Sequence, residues 1–166
     1  MSDIDWEVRL YRDDDAKAVR SLLVEAFATE NEANLAEALR ADGDQEIELI
    51  AHSGDTIVGY VVLSKMQSPA RSLGLGPVAT ALLARKQGVA ASLIESSLAL
   101  AAAHDWTTVF LLGDANFYER FGFDAEAATA FPSPYSGPHW QVAFLNEDEA
   151  PRAGKADYAR AFTEFS

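Results

Sequence analysis

Apolar and polar residues follow two regular spacings along most of the chain. Strict alternation, as in Trp6, Val8 and Leu10, is typical of a half-buried strand. A spacing of three or four, as in Val19, Leu22 and Leu23, is typical of one face of a helix. The alternation predicts strands over Trp6–Tyr11, Glu46–His52, Thr56–Met66, Arg71–Leu83, Thr107–Leu112, Phe123–Ala128 and His139–Leu145. The longer spacing predicts helices over Asp13–Phe27, Asn31–Ala41, Gly88–His104, Ala115–Phe121 and Tyr158–Phe162.

Glycine and proline mark one turn and one irregular strand. The Ser53-Gly54-Asp55 sequence predicts a hairpin turn. Gly74, Gly76 and Pro77 interrupt the strand predicted over Arg71–Leu83. Such residues inside a strand indicate a bulge or a splayed edge, where another molecule approaches the backbone. The order of elements predicts an α/β (α+β) fold, with a mixed sheet and helices on both of its faces.

Composition narrows the class of protein. A length of 166 residues, 49% of them hydrophobic, predicts a single globular domain over residues 1–166. The absence of cysteine excludes disulfides, thiolate metal sites and a cysteine nucleophile. The N-terminal residues lack the basic and apolar regions of a signal peptide, and no apolar run reaches the roughly 18 residues of a membrane span. We therefore expect a cytoplasmic protein without a membrane partner.

The charge is strongly negative but unevenly distributed. A net charge of −13 disfavours nucleic acid and favours a cationic partner such as an amine, although an acidic excess also serves solubility alone. No Asp or Glu occurs from Thr56 to Ile94, a segment that includes Arg85 and Lys86. The loop Arg85–Gly88 is too polar for a core. A positive loop in an acid-free segment predicts an anionic ligand.

The same loop precedes a predicted helix, which adds a second feature that favours anions. The free N–H groups and the dipole of a helix N-terminus bind phosphate. Gly88 and Ala90 are small enough for a pyrophosphate to approach the backbone. Arg85 and Lys86 add positive charge beside it. Neither a Walker loop nor GxGxxG is present, so the standard nucleotide loops are excluded.

Three motifs, in this order, resemble the GNAT superfamily of N-acetyltransferases. LGLGPVA at Leu73–Ala79 is similar to a bacterial branch of that family, and RKQGVA at Arg85–Ala90 is similar to its acetyl-CoA loop. GDANFYERFGF at Gly113–Phe123 resembles its FYxxxGF helix. The resemblance covers about residues 6–145, which leaves residues 146–166 as a C-terminal extension of the acetyltransferase domain.

The resemblance implies a mostly antiparallel central sheet that splays between two strands, with acetyl-CoA as co-substrate and a primary amine as acceptor. The acceptor is unidentified; we expect a small molecule, and the acidic net charge favours a cationic one. It implies that acetyl-CoA is held by Val78, Ala79, Thr80, Arg85, Lys86, Gln87, Gly88, Val89, Ala90 and Ala91. In this arrangement Val78 and Thr80 pair with the pantetheine arm, and an N–H near Val78 or Ala79 faces the thioester oxygen. Tyr118 lies beside the sulfur as general acid or hydrogen-bond donor.

Several alternatives stay open from the sequence. Tyr118 is otherwise an amphipathic core residue with its hydroxyl at the surface. The base is unassigned. Glu30, Glu32 and Glu37 lie where the family borders its acceptor site, but the pattern favours solvated helix positions for them, and a water held by backbone groups is a further alternative. The chain is either an active N-acetyltransferase or a non-catalytic acyl-CoA sensor, and an unrelated phosphate-binding protein is a third alternative.

Three further expectations concern a metal site, the oligomeric state and the acceptor pocket. His52, His104 and His139 lack zinc-site spacing, so no metal is expected. A homodimer is the commonest assembly for such a protein. Tyr135 and Trp140, near the FPSPYSGP loop, either line an acceptor pocket or pack in the core.

Overall fold

A computed structural model describes residues 3–165 of the chain. Within them, six strands form one sheet in the order β1-β2-β3-β4-β5-β6. The strands are β1 (Glu7–Leu10), β2 (Gln45–Ser53), β3 (Thr56–Lys65), β4 (Ser72–Thr80), β5 (Thr108–Leu112) and β6 (Trp140–Phe144). The helices are α1 (Ala16–Phe27), α2 (Asn31–Asp42), α3 (Val89–Ala103), α4 (Ala115–Tyr118), α5 (Ala125–Ala128) and α6 (Ala161–Phe165).

The sheet opens between β4 and β5. These two strands are parallel, whereas every other neighbouring pair is antiparallel. They pair only over Ser72–Gly74 and Thr108–Phe110. Beyond that point β4 stays with β3 as far as Thr80, while β5 stays with β6. The two strands therefore diverge, which confirms the splayed sheet.

The irregularity predicted at Gly76 and Pro77 is a break in the pairing of β3 with β4. Val61 pairs with Val78, but Leu63 pairs with Leu75. One strand thus supplies more residues than its partner across this step, which is the definition of a bulge. The bulge lies at the start of the splayed part of β4 and bends the strand there.

Helices cover both faces of the sheet, as predicted. α3 packs on one face, where Val89, Leu93 and Ile94 are buried. Gly59 on β3 permits this close packing, because a Cβ at that position would lie 2.6 Å from Val89 Cγ1. The opposite face is covered by α1, α2 and the C-terminal segment, whose buried residues form a second cluster: Val19, Leu22, Leu23, Ala33, Leu35, Ala36, Leu39, Ile50, Tyr60, Val62, Ala79, Ala159 and Ala161.

The C-terminal segment is part of the packed structure. Asp157 exchanges backbone hydrogen bonds with Ser68, and its carbonyl also accepts from Gln67 N at 2.8 Å. Tyr158 is buried against Gly74 so closely that a Cβ on that glycine would lie 2.4 Å from the tyrosine Cε1. Residues 146–165 therefore cover the end of the sheet beside the opening.

Three predicted elements differ in the structure. The strand over Phe123–Ala128 is wrong: Asp124 forms one isolated bridge with Val142, and helix α5 follows because the Asp124 carboxylate accepts a hydrogen bond from Glu126 N. The strand over Arg71–Leu83 ends at Thr80, and a 3₁₀ turn follows at Leu82–Ala84. The final helix begins at Ala161 and runs to Phe165, later than predicted. Across residues 3–165, no helix is long and apolar enough to cross a membrane.

Candidate functional site

A groove of about 530 Å³ lies between the end of β4 and the start of α3. We call it the loop groove, and it is lined by Ala26, Phe27, Val78, Ala79, Thr80, Ala84, Arg85, Lys86, Gly88, Val89, Ala90, Ala91, Phe117 and Arg120. Every residue that the sequence predicts to hold acetyl-CoA is in this set except Gln87. The predicted residues are thus brought together in one place.

The N-terminus of α3 supplies hydrogen-bond donors to the loop groove. Gly88 precedes the helix with a φ of +82°, a left-handed conformation that favours glycine. A helical hydrogen bond runs from Ser92 N to Gly88 O at 3.0 Å. The N–H groups of Val89, Ala90 and Ala91 precede that bond, so they have no carbonyl partner one turn earlier in the helix. Free N–H groups at a helix N-terminus are suited to an anion, so the prediction of an anion site here agrees with the geometry.

The charges that line the loop groove are all positive. Arg85, Lys86 and Arg120 line it, and no Asp or Glu is among its lining residues in the described part of the chain. Arg120 was not predicted to lie here. Its guanidinium carbon lies 4.9 Å from the centre of the Phe117 ring, which holds the side chain at the groove. Its place in the ERF segment, directly after the FY pair, is the only sequence signal for it.

The Gln87 side chain does not line the loop groove but forms hydrogen bonds within the protein. Its side-chain Oε1 accepts a hydrogen bond from Ile4 N at 2.9 Å, and its Nε2 donates to Leu83 O at 3.0 Å. Both polar ends of the side chain are therefore used inside the protein. Gln87 joins the N-terminal segment to the loop and helps to fix the loop's shape.

The backbone of β4 is exposed to the opening in the sheet. Ala81 N donates to Val58 O of β3 at 2.8 Å, so the polar groups of Ala81 point towards β3. Because successive residues of a strand point their backbone groups to opposite sides, those of Val78 and Thr80 point away from β3. They face the gap left where β5 diverges, whereas the N–H of Ala79 points to β3.

A second groove, of about 370 Å³, continues from the loop groove. We call it the aromatic groove, and it is lined by Phe27, Asn31, Glu32, Leu35, Leu75, Gly76, Pro77, Val78, Leu112, Tyr118, Tyr135, Tyr158, Phe162 and Phe165. Phe27 and Val78 line both grooves. The two grooves therefore meet at the splayed part of β4.

Tyr118 lies at the aromatic groove and is held by its neighbours. Its ring packs edge-on against Phe117 and Phe123, with ring centres 4.9 and 6.0 Å apart. It also rests on Gly113, where a Cβ would lie 2.5 Å from the tyrosine Cε2. Burial raises the pKa of the Tyr118 hydroxyl above its usual value. The hydroxyl is therefore a neutral hydrogen-bond donor at physiological pH.

The three carboxylates considered as bases differ in their surroundings. Arg20 forms ion pairs with Glu30 at 2.8 Å and with Glu37 at 3.0 Å. Glu32 accepts a hydrogen bond from Thr29 Oγ1 at 2.9 Å and lines the aromatic groove. Among the described residues Glu32 has no ion-pair partner. The structure thus singles out one of the three, which the sequence did not.

The two aromatic residues of the proline-rich region have different places. Tyr135 lines the aromatic groove. Trp140 is buried, stacks on Phe110 with ring centres 5.0 Å apart, and donates its indole N–H to Phe131 O at 3.0 Å. Trp140 is therefore a core residue. Residues 3–165 contain no group of three or more His, Asp or Glu side chains placed to hold a metal ion.

The fold corresponds to that of a known family of acetyltransferases. A sequence profile of the acetyltransferase (GNAT) domain matches residues 7–125, which is more than half of the chain. The chain belongs to the GNAT family of acetyltransferases. It is similar to the uncharacterized N-acetyltransferase YhbS of Escherichia coli strain K12, with 32% identity over 117 residues, 68% of this chain and 70% of YhbS. It is also 29% identical over 133 residues to the uncharacterized N-acetyltransferase YjhQ of the same strain, covering 75% and 73% of the two chains.

Solved structures share the whole architecture. A crystal structure of Escherichia coli YhbS in complex with CoA superposes with a TM-score of 0.90 at 27% identity, over 100% of this chain and 96% of the other. A GNAT family acetyltransferase from Brucella melitensis in complex with acetyl-CoA superposes with a TM-score of 0.82 at 25% identity, over 95% and 98%. The similarity extends through the C-terminal segment, which the sequence motifs alone did not cover.

Proposed function

We propose that this chain transfers an acetyl group from acetyl-CoA to a primary amine. The observation that carries the proposal is the meeting of two grooves at Val78, one lined by cations and the other containing a carboxylate. The donor CoA is a polyanion and an amine acceptor is a cation before reaction. Each groove has the charge that suits one of these two substrates.

The loop groove fits CoA in its chemistry. The free N–H groups of Val89, Ala90 and Ala91 suit a pyrophosphate, and Arg85 and Lys86 add charge. The outward-facing backbone of β4 at Val78 and Thr80 suits the amide groups of a pantetheine arm. The presence of CoA and acetyl-CoA in the two solved relatives supports the same assignment.

Acetyl-CoA would supply an acetyl group activated as a thioester. In the reaction the ammonium form of the amine first loses one proton to solvent. Its nitrogen then bonds to the acetyl carbon and loses a second proton, the carbon–sulfur bond breaks, and the thiolate takes up one proton. The products are an N-acetyl amide and the free thiol of CoA. In our proposal the Val78 N–H stabilises the negative charge on the carbonyl oxygen, and Tyr118 donates a hydrogen bond to the departing sulfur.

An acyl-CoA sensor without catalysis is the alternative. A binding module has no need for a hydroxyl donor in the aromatic groove, so the place of Tyr118 in its lining favours the enzyme. Release of free thiol in the presence of amines distinguishes the two functions directly. A sensor binds acetyl-CoA but releases thiol no faster with any amine than without one.

Calorimetric titration with acetyl-CoA, CoA and ATP tests the donor site. We expect acetyl-CoA and CoA to bind and ATP to bind at least about tenfold more weakly, a difference of about 1.4 kcal/mol. Gly88→Glu places a carboxylate at the helix N-terminus, and it should weaken acetyl-CoA binding at least about tenfold.

Gly54→Glu is the matched control for this substitution. Gly54 also has a positive φ, +57°, and a Cβ there would meet no atom within 4 Å, as at Gly88. Both variants therefore carry the same kind of backbone strain and the same added charge, but only one carries the carboxylate into the loop groove. If acetyl-CoA does not bind, or if the two variants bind it equally well, the proposed donor site is wrong.

A further inference from the structure

We propose that the acceptor is a small, singly charged amine carried on an arylalkyl group, and that Glu32 binds its ammonium group. This inference rests on the proposed function, because it assigns the substrate of the same site. It is carried by the lining of the aromatic groove, by the charges that this lining includes and excludes, and by the position of Glu32.

The size and chemistry of the aromatic groove select a small apolar molecule. Its volume of about 370 Å³ lies near the lower end of the ~300–1,000 Å³ typical of ligand pockets. Aromatic side chains dominate the lining: Phe27, Tyr118, Tyr135, Tyr158, Phe162 and Phe165. Aromatic walls favour an aromatic ligand through edge and stacked contacts, and they attract a cation at their faces.

The charges of the groove exclude several classes of amine. Among the described residues, Glu32 is the only charged side chain in the lining, and no Lys, Arg or His is present. An amino acid would bury its carboxylate without a cationic partner, which is costly. A polyamine would find one carboxylate for several ammonium groups. An aminoglycoside would leave many hydroxyls facing apolar walls.

Glu32 is distinguished from its neighbours by its availability. Glu30 and Glu37 both form ion pairs with Arg20 of α1. Glu32 is held at the first turn of α2 by the hydroxyl of Thr29, which fixes one carboxylate oxygen at 2.9 Å. Its charge is not cancelled by a cation of the described chain. It is therefore available to a cationic ligand in the groove.

Glu32 acts on binding rather than on the chemical step. The ammonium group must release one proton to solvent before its nitrogen attacks the acetyl carbon. Attack then forms the carbon–nitrogen bond, breaks the carbon–sulfur bond, and sends the second proton to the thiolate or to solvent. Removal of the Glu32 charge should therefore raise KM and leave kcat nearly unchanged.

A thiol-release assay at saturating acetyl-CoA tests the acceptor class. Phenethylamine and L-phenylalanine share the ring and the amine and differ by one carboxylate. We expect kcat/KM for phenethylamine to exceed that for L-phenylalanine about a hundredfold, and to exceed those for spermidine and kanamycin. Turnover of L-phenylalanine, spermidine or kanamycin at equal or higher efficiency would overturn this inference and leave the acetyltransferase proposal intact.

Glu32→Gln tests the binding residue. Glu30→Gln is its control, because Glu30 lies at the same end of α2 and loses the same charge. We expect Glu32→Gln to raise the KM for phenethylamine about tenfold, with kcat within about threefold and the same acetyl-CoA affinity. Glu30→Gln should leave the KM unchanged. Equal effects of the two variants would overturn the role of Glu32. A failure of the wild-type chain to bind acetyl-CoA would overturn the proposed function and this inference together.

Discussion

Tyr118→Phe removes one hydroxyl from the lining of the aromatic groove and keeps the ring that packs there. The ring contacts with Phe117, Phe123 and Gly113 are made by carbon atoms, so phenylalanine preserves them. We therefore expect the melting temperature and the acetyl-CoA affinity of the variant to match those of the wild type. The loss should appear in kcat.

The expected loss of kcat depends on whether Tyr118 transfers its proton to the CoA thiolate or only donates a hydrogen bond to it. A thiol has a pKa near ~8.5 and a tyrosine near ~10, so full proton transfer from tyrosine to thiolate is uphill by about 2 kcal/mol. Burial raises the pKa of Tyr118 further and widens this gap. Tyr118 thus acts as a hydrogen-bond donor. A hydrogen bond to a charged group contributes about 1.5–3 kcal/mol, which predicts a kcat lower by about 10- to 150-fold.

Thiol release at saturating acetyl-CoA and saturating amine measures this change. Tyr11→Phe is the control, because Tyr11 packs under Arg40 outside both grooves and loses the same hydroxyl. Because its pKa is raised, Tyr118 stays protonated between pH 7 and 9, so the wild-type kcat should show no fall from tyrosine ionisation in that range. A kcat for Tyr118→Phe equal to that of Tyr11→Phe would refute the role of the hydroxyl.

Two further substitutions test the placement of Tyr118 and the stability of the fold. Gly113→Ala puts a Cβ 2.5 Å from Tyr118 Cε2, so the ring must move, and we expect kcat to fall by about tenfold or more with an unchanged calorimetric Kd for acetyl-CoA. Parallel losses of both quantities would contradict this. Asp15→Asn removes a two-point ion pair with Arg9 at 2.8 and 2.9 Å, and it should lower the free energy of unfolding by about 1–3 kcal/mol at pH 7. Because the hydrogen-bonded ion pair with Arg9 lowers the pKa of Asp15, this stabilisation is present above the unfolded value of about 4 and is lost as the pH falls through the lower folded value. The denaturant curves of the two proteins should therefore approach each other as the pH is lowered below about 4.

Most of the loop groove could be predicted because ten of its fourteen lining residues lie in one continuous segment of the sequence. The end of β4, the loop and the first turn of α3 follow one another from Val78 to Ala91, and each has a local sequence signal. Gln87 shows the limit of this approach. Its backbone position follows from the motif, but its side chain is fixed by Ile4, a residue 83 positions away. No local pattern reports such a contact.

The aromatic groove could not be predicted in the same way. Its lining comes from segments as distant as Phe27, Leu75, Leu112 and Phe165, which meet only when the sheet splays and the C-terminal segment packs across its end. The choice among the carboxylates near α2 depends on Arg20 of α1, whose reach is a property of the helix packing. The sequence alone therefore does not distinguish Glu32 from Glu30 and Glu37.

The prediction of a strand over Phe123–Ala128 is wrong because Asp124 caps the N-terminus of a helix within the alternating pattern. Phe123 is buried, and Asp124 pairs with Val142 as a strand residue would. The Asp124 side chain then accepts from Glu126 N at 2.9 Å, which is a helix N-cap, and the following alanines favour a helix. Alternation over a few residues is weak evidence when an N-cap residue lies within it.

The net charge of −13 predicts that the protein as a whole repels CoA, yet the loop groove is suited to it. The local arrangement decides the outcome, because charges farther away than about 8–10 Å are largely screened at physiological ionic strength. Within that distance CoA would meet Arg85, Lys86, Arg120 and the free N–H groups of α3. The amine would meet Glu32. In our proposal, the segregation of charge between two adjoining grooves, rather than its sum, would allow an acidic chain to bring an anionic donor and a cationic acceptor together at Val78.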